Sequence, residues 1–234
     1  MKKTLFSVIA SNFIGSGLGF LINIMIARLL SVAEYGRINL IFSFVIILFS
    51  LFEFNIGNSM VIFYKKFEKI YGKDSKELIF FVNKTFLKFI KLSFLFVAMV
   101  LSGLYHFYDL SYLEVVIILI NFYMFLLYRY FTTIHQAVGR WKSFNILNIL
   151  NNVVKSIVFV IVFFTIGYYL DLYNTFLIGY GLFSIIVFII SLMMTWQYLK
   201  LPDINFSYKY DRLFNGIIVP LGISNIFILI SSSC

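Results

Sequence analysis

Residues 173–199 read YNTFLIGYGLFSIIVFIISLMMTWQYL, an unbroken stretch without a single Asp, Glu, Lys or Arg. As an α-helix it would rise about 40 Å, more than the roughly 30 Å hydrocarbon core of a bilayer. Working outward from it, further long apolar runs, some carrying an isolated charge, at 5–30, 38–63, 87–107, 113–134, 144–170 and 213–232 predict seven spans in an all-α polytopic membrane protein. Composition agrees: the chain is 62% hydrophobic and 12% charged, whereas a soluble domain carries about 25% charged residues.

The opening Met1, Lys2 and Lys3 resemble the start of a signal peptide, but the apolar run behind them is far longer than a signal h-region and lacks a small-x-small cleavage site, so it reads as a retained first span. Cys234 is the only cysteine, so no intramolecular disulfide is possible and neither redox compartment nor a cysteine-based metal site can be inferred.

The basic residues are distributed asymmetrically. Lys2 and Lys3 precede the first span, and Lys65, Lys66, Lys69, Lys73, Lys76, Lys84, Lys88 and Lys91 surround the second connection. Arg129, Arg140 and Lys142 flank the fourth, and Lys200, Lys209 and Arg212 the sixth. The intervening connections near 105–112 and 167–174 contain no Lys or Arg. The positive-inside bias therefore predicts an inner-membrane protein with a cytoplasmic amino terminus. The net charge of +9 is dispersed over several loops rather than gathered on one module, which argues against nucleic acid as partner. Lys73, Lys84, Lys88 and Lys91 share a narrow arc; they read either as a basic amphipathic helix on the cytoplasmic leaflet or as a solvated loop with snorkelling lysines.

Polar residues inside the spans are the functional candidates, because buried polar groups in a bilayer are costly and face either a bundle interior or water. In span one, Asn12, Gly15, Ser16, Gly19 and Asn23 fall within about 100° of one face. The Gly15/Gly19 pair suits close helix packing as well as it suits the wall of a hydrated path. Arg28 lies off that stripe. In span two, Asn39, Ser43, Ser50, Glu53 and Gly57 share a face, and Glu53 needs a partner or a cavity. Span five carries Asn145, Asn148, Asn152, Lys155 and Ser156 on one face. Lys155 lies thirteen residues beyond Lys142, about 20 Å along the helix, too deep to snorkel and so expected to point inward. Span four adds Asn121, Tyr128, Thr132 and His135, the last read as either an interfacial residue or a proton carrier. Four polar stripes on lipid-compatible helices predict a hydrated central cavity and a transporter.

Enzyme signatures are missing from the sequence: there is no HExxH, GxSxG, P-loop or paired aspartate motif, and the two histidines, His106 and His135, belong to opposite sides. The expectation is a non-enzyme without metal or organic cofactor, with H⁺ or Na⁺ as a possible coupling ion.

Four stretches carry a family resemblance: IMIARLLSVAEYG at 24–36, LFEFNIGNSMVIFYKK at 51–66, QAVGRWKSFNILNILNNVVK at 136–155 and PLGISN at 220–225. Together they resemble Wzx-type oligosaccharide and O-antigen flippases of the multidrug/oligosaccharidyl-lipid/polysaccharide exporter superfamily. The resemblance implies two six-helix lobes that move an undecaprenyl-diphosphate-linked glycan from the cytoplasmic to the periplasmic leaflet for surface polysaccharide (lipopolysaccharide) assembly. Under it, residues 1–200 are the amino-terminal lobe, and 201–234 are a cytoplasmic linker and the start of a second lobe. It casts Lys155 as the cation that meets the diphosphate and Glu53 as its counter-charge or ion site. Asn12, Asn23, Asn148 and Asn152 become path residues, and Arg28, within the family's IAR motif, has a structural or path role. Family members are about twice as long, so the expectation is a truncated frame or fragment lacking the second lobe, or a half completed by a separate protein or a second copy, and inactive alone. The alternatives are a small-molecule or drug antiporter of the same superfamily and a non-catalytic membrane component of polysaccharide assembly.

Overall fold

The computed structural model describes residues 2–53, 61, 64–65, 69, 76–167 and 169–199. Within them the chain is helical throughout, with α1 Lys2–Leu29, α2 Val32–Glu53, α3 Lys76–Phe107, α4 Tyr112–Ala137, α5 Trp141–Thr165 and α6 Leu172–Leu199. Four segments are long and apolar enough to cross a membrane: Val32–Phe52, Tyr112–Ala137, Trp141–Thr165 and Leu172–Trp196. Shorter apolar stretches occupy Ser16–Leu29 of α1 and Ser93–Phe107 of α3. The protein is an all-α polytopic membrane protein. The expected seventh span at 213–232 lies outside the described residues, as does most of the carboxy-terminal part of span two.

Helix ends depart from the hydropathy pattern where local chemistry starts or stops a helix. α2 begins six residues before the expected Ile38 because Ser31 and Glu34 form a reciprocal cap. The Glu34 carboxylate accepts from the Ser31 backbone N–H at 2.9 Å and hydroxyl at 2.6 Å, and the Glu34 N–H donates to Ser31 Oγ at 3.3 Å. α3 starts eleven residues before the expected Leu87, so the lysine-bearing segment from Lys76 continues straight into the span instead of forming a separate helix. Lys91 on it is exposed; Lys73 lies outside the described residues, as do the side chains of Lys84 and Lys88.

α4 opens on a second capping box, Ser111 with Glu114. It closes on Gly139 at φ +76°, where the Arg140 N–H returns to the His135 carbonyl at 2.9 Å. α5 ends five residues before the expected Leu170, at a turn where a Cβ on Gly167 would stand 2.5 Å from the Phe163 carbonyl oxygen.

Short connections make α4, α5 and α6 an antiparallel set. The closest packing joins α4 to α6, with α1 and α6 both against α5 and α2 against α4. Glycines on α6 permit this approach: a Cβ on Gly181 would meet Ile117 Cδ1 at 2.8 Å, and one on Gly179 would meet Phe159 Cε1 at 3.2 Å. Phe122, Ile118, Phe159, Phe176 and Leu177 fill the centre and are almost wholly buried.

One expectation is corrected by this packing. The polar face of α4 does not line a cavity; it is sealed against α6 and α5. Ser184 Oγ donates to Asn121 Oδ1 at 2.5 Å, the Tyr128 hydroxyl donates to the Leu147 carbonyl at 3.2 Å, and His135 Nε2 lies 3.2 Å from Thr195 Oγ1. Asn121, Thr132 and His135 are each about 1% exposed or less. Asn121 and His135 each meet a hydroxyl of α6 across a dry interface, as polar side chains between membrane helices do, while Thr132 turns its hydroxyl back to the Arg129 carbonyl of its own helix at 2.8 Å. His135, in the last turn of α4, is thus an interhelical contact, packed edge-on against Tyr198.

Candidate functional site

Polar groups collect instead at a cleft of about 400 Å³ where α1, α2, α5 and α6 meet. α5 supplies its chemistry. Asn148, Asn151, Asn152 and Lys155 recur at three- and four-residue spacing and so share one side of the helix, and of these Asn151, Asn152 and Lys155 line the cleft. Asn152 Nδ2 donates to the Asn148 carbonyl at 3.3 Å, and Ser156 Oγ donates to the Asn152 carbonyl at 3.0 Å. Asn151 Oδ1 is buried without a hydrogen-bond partner.

α1 can approach because it presents glycine there: a Cβ on Gly19 would lie 3.5 Å from Asn152 Oδ1, an ordinary contact. That brings Asn23 to the cleft, while Asn39 of α2 faces it from the other wall. The floor is aromatic. Lys155 Nζ sits 5.0 Å from the Tyr180 ring centroid, and that ring packs at 4.0 Å against Phe42 and edge-on at 4.7 Å against Phe159. A cation over an aromatic face is held by the ring quadrupole without being neutralised. Among the described residues the one ion pair is Arg37–Glu114, and no carboxylate among them pairs with Lys155.

Four of the residues singled out by sequence, Asn23, Asn39, Asn152 and Lys155, therefore come together here. Asn148 is half-buried one turn away and touches the site through its backbone. Arg28 is exposed at the last turn of α1. Glu53 is the final residue of α2, one turn past the lining residue Phe49; its side chain and that of Asn12 lie outside the described residues. Asn151 and Tyr180 were missed. The Asn151–Asn152 doublet was a signal for the first; nothing in the pattern of α6 distinguishes Tyr180 from the other aromatics of that helix.

A second polar cluster, also missed, ties the amino-terminal ends of three helices. Glu114, 1% exposed, receives Arg37 Nε at 2.5 Å and Arg37 Nη2 at 2.9 Å, the backbone N–H of Ser111 at 2.6 Å, and the hydroxyl of Tyr173. Arg37 Nη2 also donates to the Asp109 carbonyl at 2.8 Å. The forked, bidentate pairing satisfies both carboxylate oxygens. Above it lies an outer recess of about 480 Å³ lined by Glu34, Arg37, Leu40, Asp171 and Tyr173 among others. Among the described residues no group of three His, Cys, Asp or Glu side chains converges as metal ligands would.

Fold and site together define a class: a polytopic helical membrane protein with an amide-lined, cationic cleft within the bundle. No protein-family profile, curated protein or solved structure matches the chain.

Proposed function

We propose that this chain is a lobe of a lipid-linked oligosaccharide flippase of the bacterial inner membrane, handling an undecaprenyl-diphosphate-linked glycan, with its lysine-rich connections on the cytoplasmic side. The observation that carries the reading is Lys155: an ammonium ten residues, or about 15 Å, from the end of α5, set in a cleft among amides. At that depth a cation is costly, and such residues mark substrate or ion pathways; among the described residues no carboxylate pairs with it. The group it would suit is an anion such as a phosphate, while amides, which both donate and accept, suit sugar hydroxyls. The family resemblance supplies the glycan and the direction. A transporter is favoured over an enzyme, with H⁺ or Na⁺ as coupling ion and no other cofactor. Asn23 and Asn39 remain exposed at the cleft rim, and the lobe expressed by itself is expected not to translocate.

A second reading, a small-molecule antiporter, is favoured by the aromatic floor and by the cleft volume, which lies within the ~300–1,000 Å³ of ordinary ligand pockets. One experiment separates the two. Deleting the gene in its native background should leave lipid-linked glycan accumulating inside and surface glycan lost; unaltered surface glycan with new sensitivity to amphiphilic drugs would select the antiporter instead. Orientation is tested separately: an enzyme reporter active only in the periplasm, fused after Lys76, should be silent, and activity there would reverse the assignment.

A further inference from the structure

The amides on the α5 wall of the cleft are not interchangeable. Asn151 lines the cleft, yet its Oδ1 is buried without a hydrogen-bond partner. Oxygen and nitrogen leave an amide carbon in different directions, so the half of Asn151 turned toward the cleft is its NH2 group, a donor. Lys155, four residues on and therefore its neighbour on the same face, adds the donors of an ammonium that lies 5.0 Å from the Tyr180 ring centroid. Asn152 is turned the other way. Its Nδ2 donates to the Asn148 carbonyl at 3.3 Å, which leaves Oδ1, an acceptor, facing α1. Gly19 gives that oxygen room, since even a Cβ there would stand 3.5 Å away. The wall thus presents donors from Asn151 and Lys155 and, beside them, an acceptor from Asn152.

We propose that this order of donors and acceptor fixes the orientation of the ligand: Asn151 and Lys155 hold the phosphate between them, and Asn152 accepts from a hydroxyl or amide N–H on the adjoining sugar, which lies on the α1 side. Phosphate oxygens only accept, so they suit the two donors. The reverse placement sets a phosphate oxygen against Asn152 Oδ1, acceptor facing acceptor, and leaves the sugar's own donors without a partner. Asn151 thereby becomes a binding residue for the anion, and Asn152 the residue that selects a ligand with a donor next to its phosphate. The orientation rests on the flippase reading in one respect, that the anion is a phosphate joined to a sugar. An unpartnered buried oxygen lowers stability, so a variant that removes the Asn151 amide is expected to fold.

Two matched probes test it: methyl phosphate, which offers only the anion, and glucose 1-phosphate, which adds hydroxyls beside it. Binding of each to the full chain in detergent micelles is followed by phosphorus NMR titration. Asn151→Ala should weaken both probes about tenfold, the order of one hydrogen bond to a charged group. Asn151→Asp keeps the shape but sets an oxygen where the NH2 group stood, and should weaken both further. Asn152→Ala should leave methyl phosphate unchanged and weaken glucose 1-phosphate about threefold, as expected for a bond between neutral groups. Undiminished binding of both probes to the Asn151 variants, an Asn151 effect confined to glucose 1-phosphate, or loss of methyl phosphate with Asn152→Ala would overturn the orientation. Lys155→Ala separates this outcome from the reading beneath it. A parent that binds neither probe, or binds them equally well without Lys155, removes the anion site and the orientation together; binding that needs Lys155 but is indifferent to Asn151 removes the orientation alone.

Discussion

Arg37→Met is expected to cost the folded protein about 3 kcal/mol, at the low end of the range for stranding one partner of a buried ion pair. Glu114 is 1% exposed and cannot turn to water, so losing the guanidinium leaves a carboxylate with only the Ser111 N–H and the Tyr173 hydroxyl as donors. Those two bonds keep the penalty from the upper end of that range. The converse change, Glu114→Leu, is expected to cost less, because Arg37 reaches solvent and retains the Asp109 carbonyl. The double change Arg37→Met/Glu114→Leu should recover much of the loss, since replacing both members of a buried pair by apolar groups is often neutral. Unfolding midpoints in a denaturing-detergent titration check the series. A single Arg37→Met as stable as the parent would show that Glu114 has found water or another donor.

Lys155→Ala is expected to have the largest effect on export, and in the opposite sense on stability. Removing a half-buried amine that rests on Tyr180, with no ion-pair partner among the described residues, relieves a desolvation cost, so abundance in the membrane should hold or rise. Transport should fall roughly ten- to hundredfold, the loss of one charge-assisted bond of about 1.5–3 kcal/mol to a phosphate oxygen. Lys155→Arg keeps the charge but replaces a compact ammonium by a planar fork, and partial activity is expected. Measured as surface glycan at equal protein abundance in the native background, the Lys155→Ala result should be compared with Glu53→Gln. Unchanged export in both would reject the assigned site.

The two variants probe parts of the molecule that were unequally legible. On α5, the three- and four-residue spacing from Asn145 to Ser156 identified a polar face, and two of its residues, Asn152 and Lys155, line the cleft. On α4, equally clear spacing through Asn121, Tyr128, Thr132 and His135 identified another, and it is buried against Ser184 and Thr195 of α6 and the backbone of α5. Periodicity reports that a helix has a polar side; it cannot report whether the neighbour across from it offers hydroxyls or a void. The pairing of Arg37 with Glu114 spans 77 residues and was invisible for the same reason, although the Ser111–Glu114 cap beneath it is a local signature.

What the amino-acid order determined alone is the set of local quantities. Long uncharged runs commit the chain to membrane helices, because every backbone amide in lipid must bond within its own segment. Capping boxes at Ser31 and Ser111 and the glycine at 139 set three of the helix ends. The tertiary structure decided which polar faces meet each other and which meet space: the glycine at 181 lets α6 come close to Ile117 of α4, where no cavity remains, and the glycine at 179 lets it close on Phe159 of α5, while Asn23, Asn39 and Lys155, with Tyr180 beneath them, line an open cleft elsewhere. A side chain's cost in the bilayer is local, but its satisfaction depends on what stands opposite, and only packing supplies that.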